Sequence, residues 1–170
     1  MSQYICVDIG GTSIKHGVLD ENAIIKECNQ TKTEAWLGGA AVLDKVKTIG
    51  KQYKEQYENI EGICISTAGM VDPEEGKIVF AGELMPGYTG TCIKKELEKA
   101  LEMPCEVEND VNCAGLAEYV SGSAKESHIM FCATVGTGIG GCAIVNGRVF
   151  HGASNSACEV GYIPMGDSDF

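Results

Sequence analysis

One short pattern occurs twice in this chain: an apolar strand, a glycine-rich turn, and a returning strand. Residues 3–9, QYICVDI, run into Gly10–Gly11–Thr12 and out through 13–20, SIKHGVLD. Residues 128–135, HIMFCATV, run into Gly136–Thr137–Gly138–Ile139–Gly140–Gly141 and out through 142–145, CAIV. The copies stand about 125 residues apart, and internal duplication is the simplest account. Each copy opens an antiparallel sheet, so the chain is expected to begin two related units.

The residues between the copies predict what completes the first unit. A third strand is expected at 23–28, and a helix over 40–57, where Leu43, Val46, Gly50, Tyr53 and Tyr57 recur at steps of three and four. Strands are expected at 60–66, 77–81 and 105–108. A helix over about 91–102 turns Ile93, Leu97, Ala100 and Leu101 inward, with Thr89 or Thr91 as its cap and Pro104 beyond its end. A third helix over about 110–121 is capped by Asn109 or Asp110 and followed by Gly122. This is an α/β fold with a mixed sheet, three antiparallel strands then alternating helices and strands. The first lobe is expected to span 1–122, and 123–170 to hold the first strands of a second lobe, with Asn146–Gly147 as a hairpin turn. No helices follow the second copy, so a truncated second lobe, or one completed by another chain, is expected. Uncovered strands over 128–150 favour pairing between copies, so a homo-oligomer, a dimer, is expected.

Composition narrows the function. Hydrophobic residues at 44% and charged residues at 22% fit a globular chain and exclude a disordered or collagen-like one. The net charge of −11 argues against nucleic acid or an anionic membrane as partner. No apolar run reaches the roughly 20 residues of a membrane span, and the first 20 residues lack a signal-peptide pattern. Nine cysteines, none in a C-x-x-C pair, point to reduced thiols in a cytoplasmic setting and to no zinc site within this chain. Cys6, Cys64, Cys132 and Cys142 fall in apolar runs, where a thiol packs as a small hydrophobe. His16, His128 and His151 lack ligand-spaced partners and read as structural or surface residues, and Trp36 as a packing or loop anchor.

The glycine turns carry the chemistry. Without a Cβ, a ligand oxygen can approach the backbone closely, and successive N–H groups at a turn converge on an anion. Two such turns can grip one polyphosphate. Asp8 ends the first strand, where a carboxylate can hold Mg²⁺, directly or through water, against phosphate oxygens. Thr12 adds a hydroxyl and Lys15 a positive charge. A dinucleotide-binding oxidoreductase is the competing reading, since Gly136-x-Gly138-x-x-Gly141 matches that fingerprint with Glu159 downstream. The fingerprint requires a helix at the glycines, whereas C-A-I-V-N-G-R-V-F reads as a hairpin.

Five segments in order carry a family resemblance. They are V-D-I-G-G-T-x-x-K-x-G at 7–17, S-T-A-G-M-V-D at 66–72, E-N-D-V-N-C-A-G-L-A-E-Y at 108–119, G-T-G-I-G-G at 136–141 and E-V-G at 159–161. The chain resembles the ROK sugar kinases of the actin, Hsp70 and sugar kinase superfamily along its whole length. The resemblance implies two ribonuclease-H-like lobes with sugar and ATP bound in the cleft between them, and ATP-dependent phosphorylation of a hexose or hexose derivative. It implies Asp110 as catalytic base, Asn109, Glu159 and Gly69 as sugar-binding residues, and Asp8 as the acid near Mg²⁺. It implies Gly10, Gly11, Thr12 and Lys15 as the first phosphate site, and Thr137, Gly138 and Gly140 as the second. A non-catalytic sugar sensor is the alternative within the same family; the presence of Asp110 and both glycine turns favours the kinase.

Three positions depart from the family pattern. Tyr162 stands where His is usual, Cys158 where Gly precedes the glutamate, and Glu83 where Asn precedes the Pro86–Gly87–Tyr88 turn. The resemblance places a cysteine-rich zinc loop just beyond residue 165, and the adenine-binding stretch and final helix past residue 170. The lack of a helix-turn-helix before Met1 argues against the repressor branch.

Overall fold

The computed structural model describes residues 1–163. It divides into two compact units, the first Met1–Asp110 and the second beginning at Val111.

The first unit is built on a five-stranded sheet. Its strands are β1 (Gln3–Ile9), β2 (Ser13–Asp20), β3 (Ile25–Lys32), β4 (Ile60–Thr67) and β7 (Cys105–Asn109), in the order β3-β2-β1-β4-β7. β1 pairs antiparallel with β2, and β2 with β3, while β1, β4 and β7 run parallel. A small hairpin, β5 (Met70–Asp72) with β6 (Lys77–Phe80), follows β4. Two helices, α1 (Gly39–Gln56) and α2 (Ile93–Leu101), supply the crossovers that parallel strands require.

The alternation of side chains along the strands explains the layering. Ile5, Val7 and Ile9 on β1, Ile63 and Ile65 on β4, and Cys105 and Val107 on β7 are buried on one face. They share one core with Val42, Leu43, Val46, Ile49 and Tyr53 of α1 and Ile93, Leu97 and Leu101 of α2. Each fully buried aliphatic side chain contributes about 1.5–3 kcal/mol. Gly50 is the close-approach point of the two helices: a Cβ there would stand 2.6 Å from a Leu101 methyl.

Several boundaries differ from the sequence reading. β3 begins at Ile25 rather than 23 and continues to Lys32, although its last residues are exposed and polar. Pairing with β2 through Ser13↔Lys32, and not burial, carries it there. Neither Thr89 nor Thr91 caps α2. Cys92 holds the cap position without a side-chain bond, Thr89 Oγ1 accepts from Ala81 N at 3.0 Å, and Thr91 Oγ1 donates to Gly87 O at 3.4 Å. Trp36 is not a packing anchor: it lies in a single helical turn, Ala35–Leu37, and is 71% exposed.

The second unit contains β8 (Ile129–Val135), β9 (Ile139–Val145) and β10 (Arg148–Val149), in the antiparallel order β10-β9-β8. Asn146 and Gly147 both take positive φ, 49° and 79°, as the hairpin turn between β9 and β10 demands. The helix α3 (Asp110–Ser121) groups with these strands beyond its first residue, ahead of the boundary expected near 122. Glycine explains the close packing. A Cβ on Gly115 would stand 2.6 Å from Cys142 Sγ, and one on Gly140 2.4 Å from a Val111 methyl. α3 therefore covers one face of this sheet. Ile129, Phe131, Val135 and Ile139 on the other face are exposed. Among the described residues no helix is long and apolar enough to cross a membrane.

Candidate functional site

The parallel strands β1, β4 and β7 end together. Ile9 pairs with Thr67, and Thr67 with Asn109, in one continuous row across the sheet. The segments that follow this row are Gly10–Thr12, Ala68–Gly69 and Asp110. In open α/β sheets the carboxyl ends of parallel strands are where ligands bind. β1 and β7 flank β4, about 10 Å apart at ordinary strand spacing.

The first turn is held from two sides. Gly10 N donates to Ser13 O at 3.1 Å, closing it. The buried Thr33 donates its hydroxyl to Gly10 O at 2.6 Å and its N–H to Thr12 O at 3.0 Å. Gly10 is needed for the turn itself, since a Cβ would approach Ser13 O at 3.0 Å. Gly11 is not: nothing lies within 4 Å of its Cβ position, and it is exposed. A bend fixed by its flanks, with an open glycine at its tip, leaves room for a bulky group to approach the backbone.

Asp8 lies one residue before the row, on the face away from the helices. Its register partners are Lys15 on β2 and Ser66 on β4. Ser66 Oγ donates to Asp8 Oδ1 at 2.8 Å. The carboxylate is thereby oriented while keeping acceptor capacity, and Lys15 beside it is exposed. Among the described residues no cluster of three or more His, Cys, Asp or Glu side chains could hold a metal. Asp8 fits a cation that takes its remaining oxygens from phosphate and water.

At the far end of the row, β7 passes directly into α3, so Asp110 stands at the helix start. The positive end of a helix dipole favours a carboxylate. Asn109 Nδ2 donates to Asp110 Oδ1 at 3.0 Å and to Gly69 O at 3.0 Å. Both amide hydrogens are used, so Asn109 fastens the Asp110 side chain to the loop after β4. Gly69 has φ +100°, and a Cβ there would meet Phe80 O at 2.7 Å. Only glycine fits. Thr67, buried under this loop, shares a 2.7 Å hydrogen bond with the Tyr88 hydroxyl. Burial pushes the Tyr88 phenol up to about 12, so it stays protonated.

In the second unit the turn is shorter than the sequence suggested. Gly136 N donates to Gly138 O at 2.9 Å, and β9 begins at Ile139. Gly136 and Gly138 have nothing within 4 Å of their Cβ positions, as at Gly11. Gly140 differs: it lies inside β9, packed on Val111 and Thr134, and serves the fold. Thr137 sits at the tip of the turn. Glu159 precedes a short helical turn, Val160–Tyr162, and is half-buried. No helix opens at these glycines, which overturns the dinucleotide-fingerprint reading.

The ROK family model matches residues 4–169. The chain belongs to the ROK family. This ROK chain is 53% identical over 163 residues to an uncharacterized protein of Clostridium perfringens, covering 96% of this chain and 55% of that protein. It is 31% identical over 167 residues to a glucokinase of Halalkalibacterium halodurans, covering 95% of this chain and 50% of the glucokinase. A crystal structure of a ROK family glucokinase from Streptomyces griseus, in complex with glucose and AMPPNP, superposes with a TM-score of 0.85 at 30% identity. That match covers 96% of this chain and 51% of the other. The ROK chain thus spans about half the length of the relatives it matches. Its α/β fold is the one expected, a partial actin-like ATPase unit of the ROK type.

Sequence reasoning missed three residues that hold the site: Thr33 under the first turn, Ser66 on Asp8, and Tyr88 on Thr67. Ser66 lay within the S-T-A-G segment, but its place beside Asp8 follows only from the pairing of β1 with β4. Thr33 was missed because its role depends on β3 continuing past residue 28.

Proposed function

We propose that this chain is the N-terminal half of an ATP-dependent hexose kinase. One observation carries the reading: Asp8, the Gly10–Thr12 turn, Gly69 and the Asn109–Asp110 pair all gather at the carboxyl edge of β1, β4 and β7. The glucokinase relative and the glucose and AMPPNP complex of a second relative supply the class of reaction.

Phosphoryl transfer asks a protein mainly to align groups and neutralise charge. The N–H groups of Gly11 and Thr12 bind phosphate oxygens, with Lys15 nearby. Gly136–Gly138 is a second phosphate grip. Asp8, held by Ser66, would hold Mg²⁺, which when bound would offset the charge of the phosphates. Asp110 accepts the proton of the attacking sugar hydroxyl. Asn109 holds it in position, and Glu159 binds the sugar. A purely sensory role explains neither the open glycines nor the ordered Asp110.

A coupled ADP-release assay of the whole protein against glucose, mannose, fructose, allose and N-acetylated hexosamines tests this. Sugar-dependent ADP release with at least one of them is expected; none with any would contradict the reading.

A further inference from the structure

The face of the first sheet that carries Asp8 also carries two cysteines side by side. Cys6 on β1 and Cys64 on β4 are register partners, each flanked by buried residues that point to the opposite face. Their thiols therefore project from the same side. Cys64 is exposed, contrary to the sequence expectation of a packed thiol, and Cys6 is half-buried. Gly17, the β2 partner of Cys6, adds no side chain to cover it. The nine cysteines form no disulfide, and none of the described residues joins the pair to form a metal-ligand group.

We propose that Cys6 and Cys64 form a peroxide-responsive dithiol, a modification site in which Cys64 is the attacking thiol and Cys6 the resolving one. Neighbouring strand spacing, about 4.8 Å, lies within the Cα separation that a disulfide spans. The Cys64 thiolate attacks one peroxide oxygen and breaks the O–O bond, giving a sulfenic acid and releasing hydroxide. The Cys6 thiol then attacks that sulfur, the S–S bond forms, and water leaves. Two thiols are oxidised by two electrons and the peroxide is reduced. Cys64 is the more exposed of the two thiols, so peroxide meets it first. The pair lies two residues before Asp8 on β1 and two before Ser66 on β4. The inference does not depend on the kinase reading.

The 170-residue chain is treated with hydrogen peroxide, digested without reductant and mapped by mass spectrometry. A peptide joining Cys6 to Cys64, two hydrogens lighter than the sum of its reduced parts, is the expected product. In Cys6→Ala the oxidation stops at a Cys64 sulfenic acid that dimedone traps. Cys64 remaining reduced, or pairing instead with another cysteine, would overturn the proposal. The peptide map of the unaltered chain decides the matter even if the variant misfolds.

Discussion

Ser66 Oγ donates a 2.8 Å hydrogen bond to Asp8 Oδ1, linking β4 to β1 one residue short of the edge where both strands end. A serine on β4 thus fixes the carboxylate beside the first glycine turn. Hydrogen bonds to charged groups contribute about 1.5–3 kcal/mol. Ser66→Ala in the whole protein is expected to weaken Mg²⁺-nucleotide binding about tenfold while leaving sugar binding intact. Isothermal titration measures both. Unchanged nucleotide affinity would remove Asp8 from the phosphate site.

Gly10 and Gly11 separate folding from binding. Gly10→Val forces a branched side chain toward Ser13 O, 3.0 Å from the Cβ position, and is expected to lower stability by about 1–3 kcal/mol. Gly11→Val meets nothing within 4 Å. Its stability should change by less than about 0.5 kcal/mol, while nucleotide binding is lost to the Cβ branch standing in the phosphate path. Urea unfolding and nucleotide titration of both variants check the pair. Equal loss of stability in the two would contradict the assignment.

The second turn makes the same distinction. Gly138→Ala is expected to leave stability unchanged and weaken nucleotide binding in the whole protein. Gly140→Ala places a Cβ 2.4 Å from a Val111 methyl and is expected to lose about 1–3 kcal/mol of stability. Thermal unfolding should rank them in that order, and the reverse order would refute it.

Much of this was legible in the sequence. β1, β2, α1, α3 and the Asn146–Gly147 hairpin lie where residue periodicity and turn chemistry place them, because each is specified by neighbours in sequence. The edge arrangement of Asp8, Gly69 and Asp110 was legible only as motif order. The contacts that fix it were not, since Ser66 to Asp8 and Asn109 to Gly69 follow from strand order. Trp36 and Cys64 misled for a related reason: an apolar residue is buried only if another element packs on it.

His16 supplies a pH test. Its Nδ1 lies 2.9 Å from the Tyr53 hydroxyl and its Nε2 3.2 Å from Thr31 Oγ1. Burial holds its pKa below the ordinary 6.5, with the Glu27 carboxylate pulling the other way. The folded state thus favours the neutral ring and the unfolded state binds the proton more readily. Stability from this source is present above about pH 6.5 and falls as the pH drops through the lower folded value. His16→Gln should flatten the decline in urea midpoint between pH 7.5 and 5.5. An equal decline in both chains would contradict it.

The central claim is that Asp110, fastened by Asn109 at the start of α3, takes the proton from the sugar. The most direct measurement is turnover and sugar affinity of Asp110→Asn in the whole protein. Asparagine retains the shape but cannot accept the proton, so turnover should fall by about three orders of magnitude or more, with sugar affinity within a few-fold of the parent. Turnover near that of the parent would contradict the account.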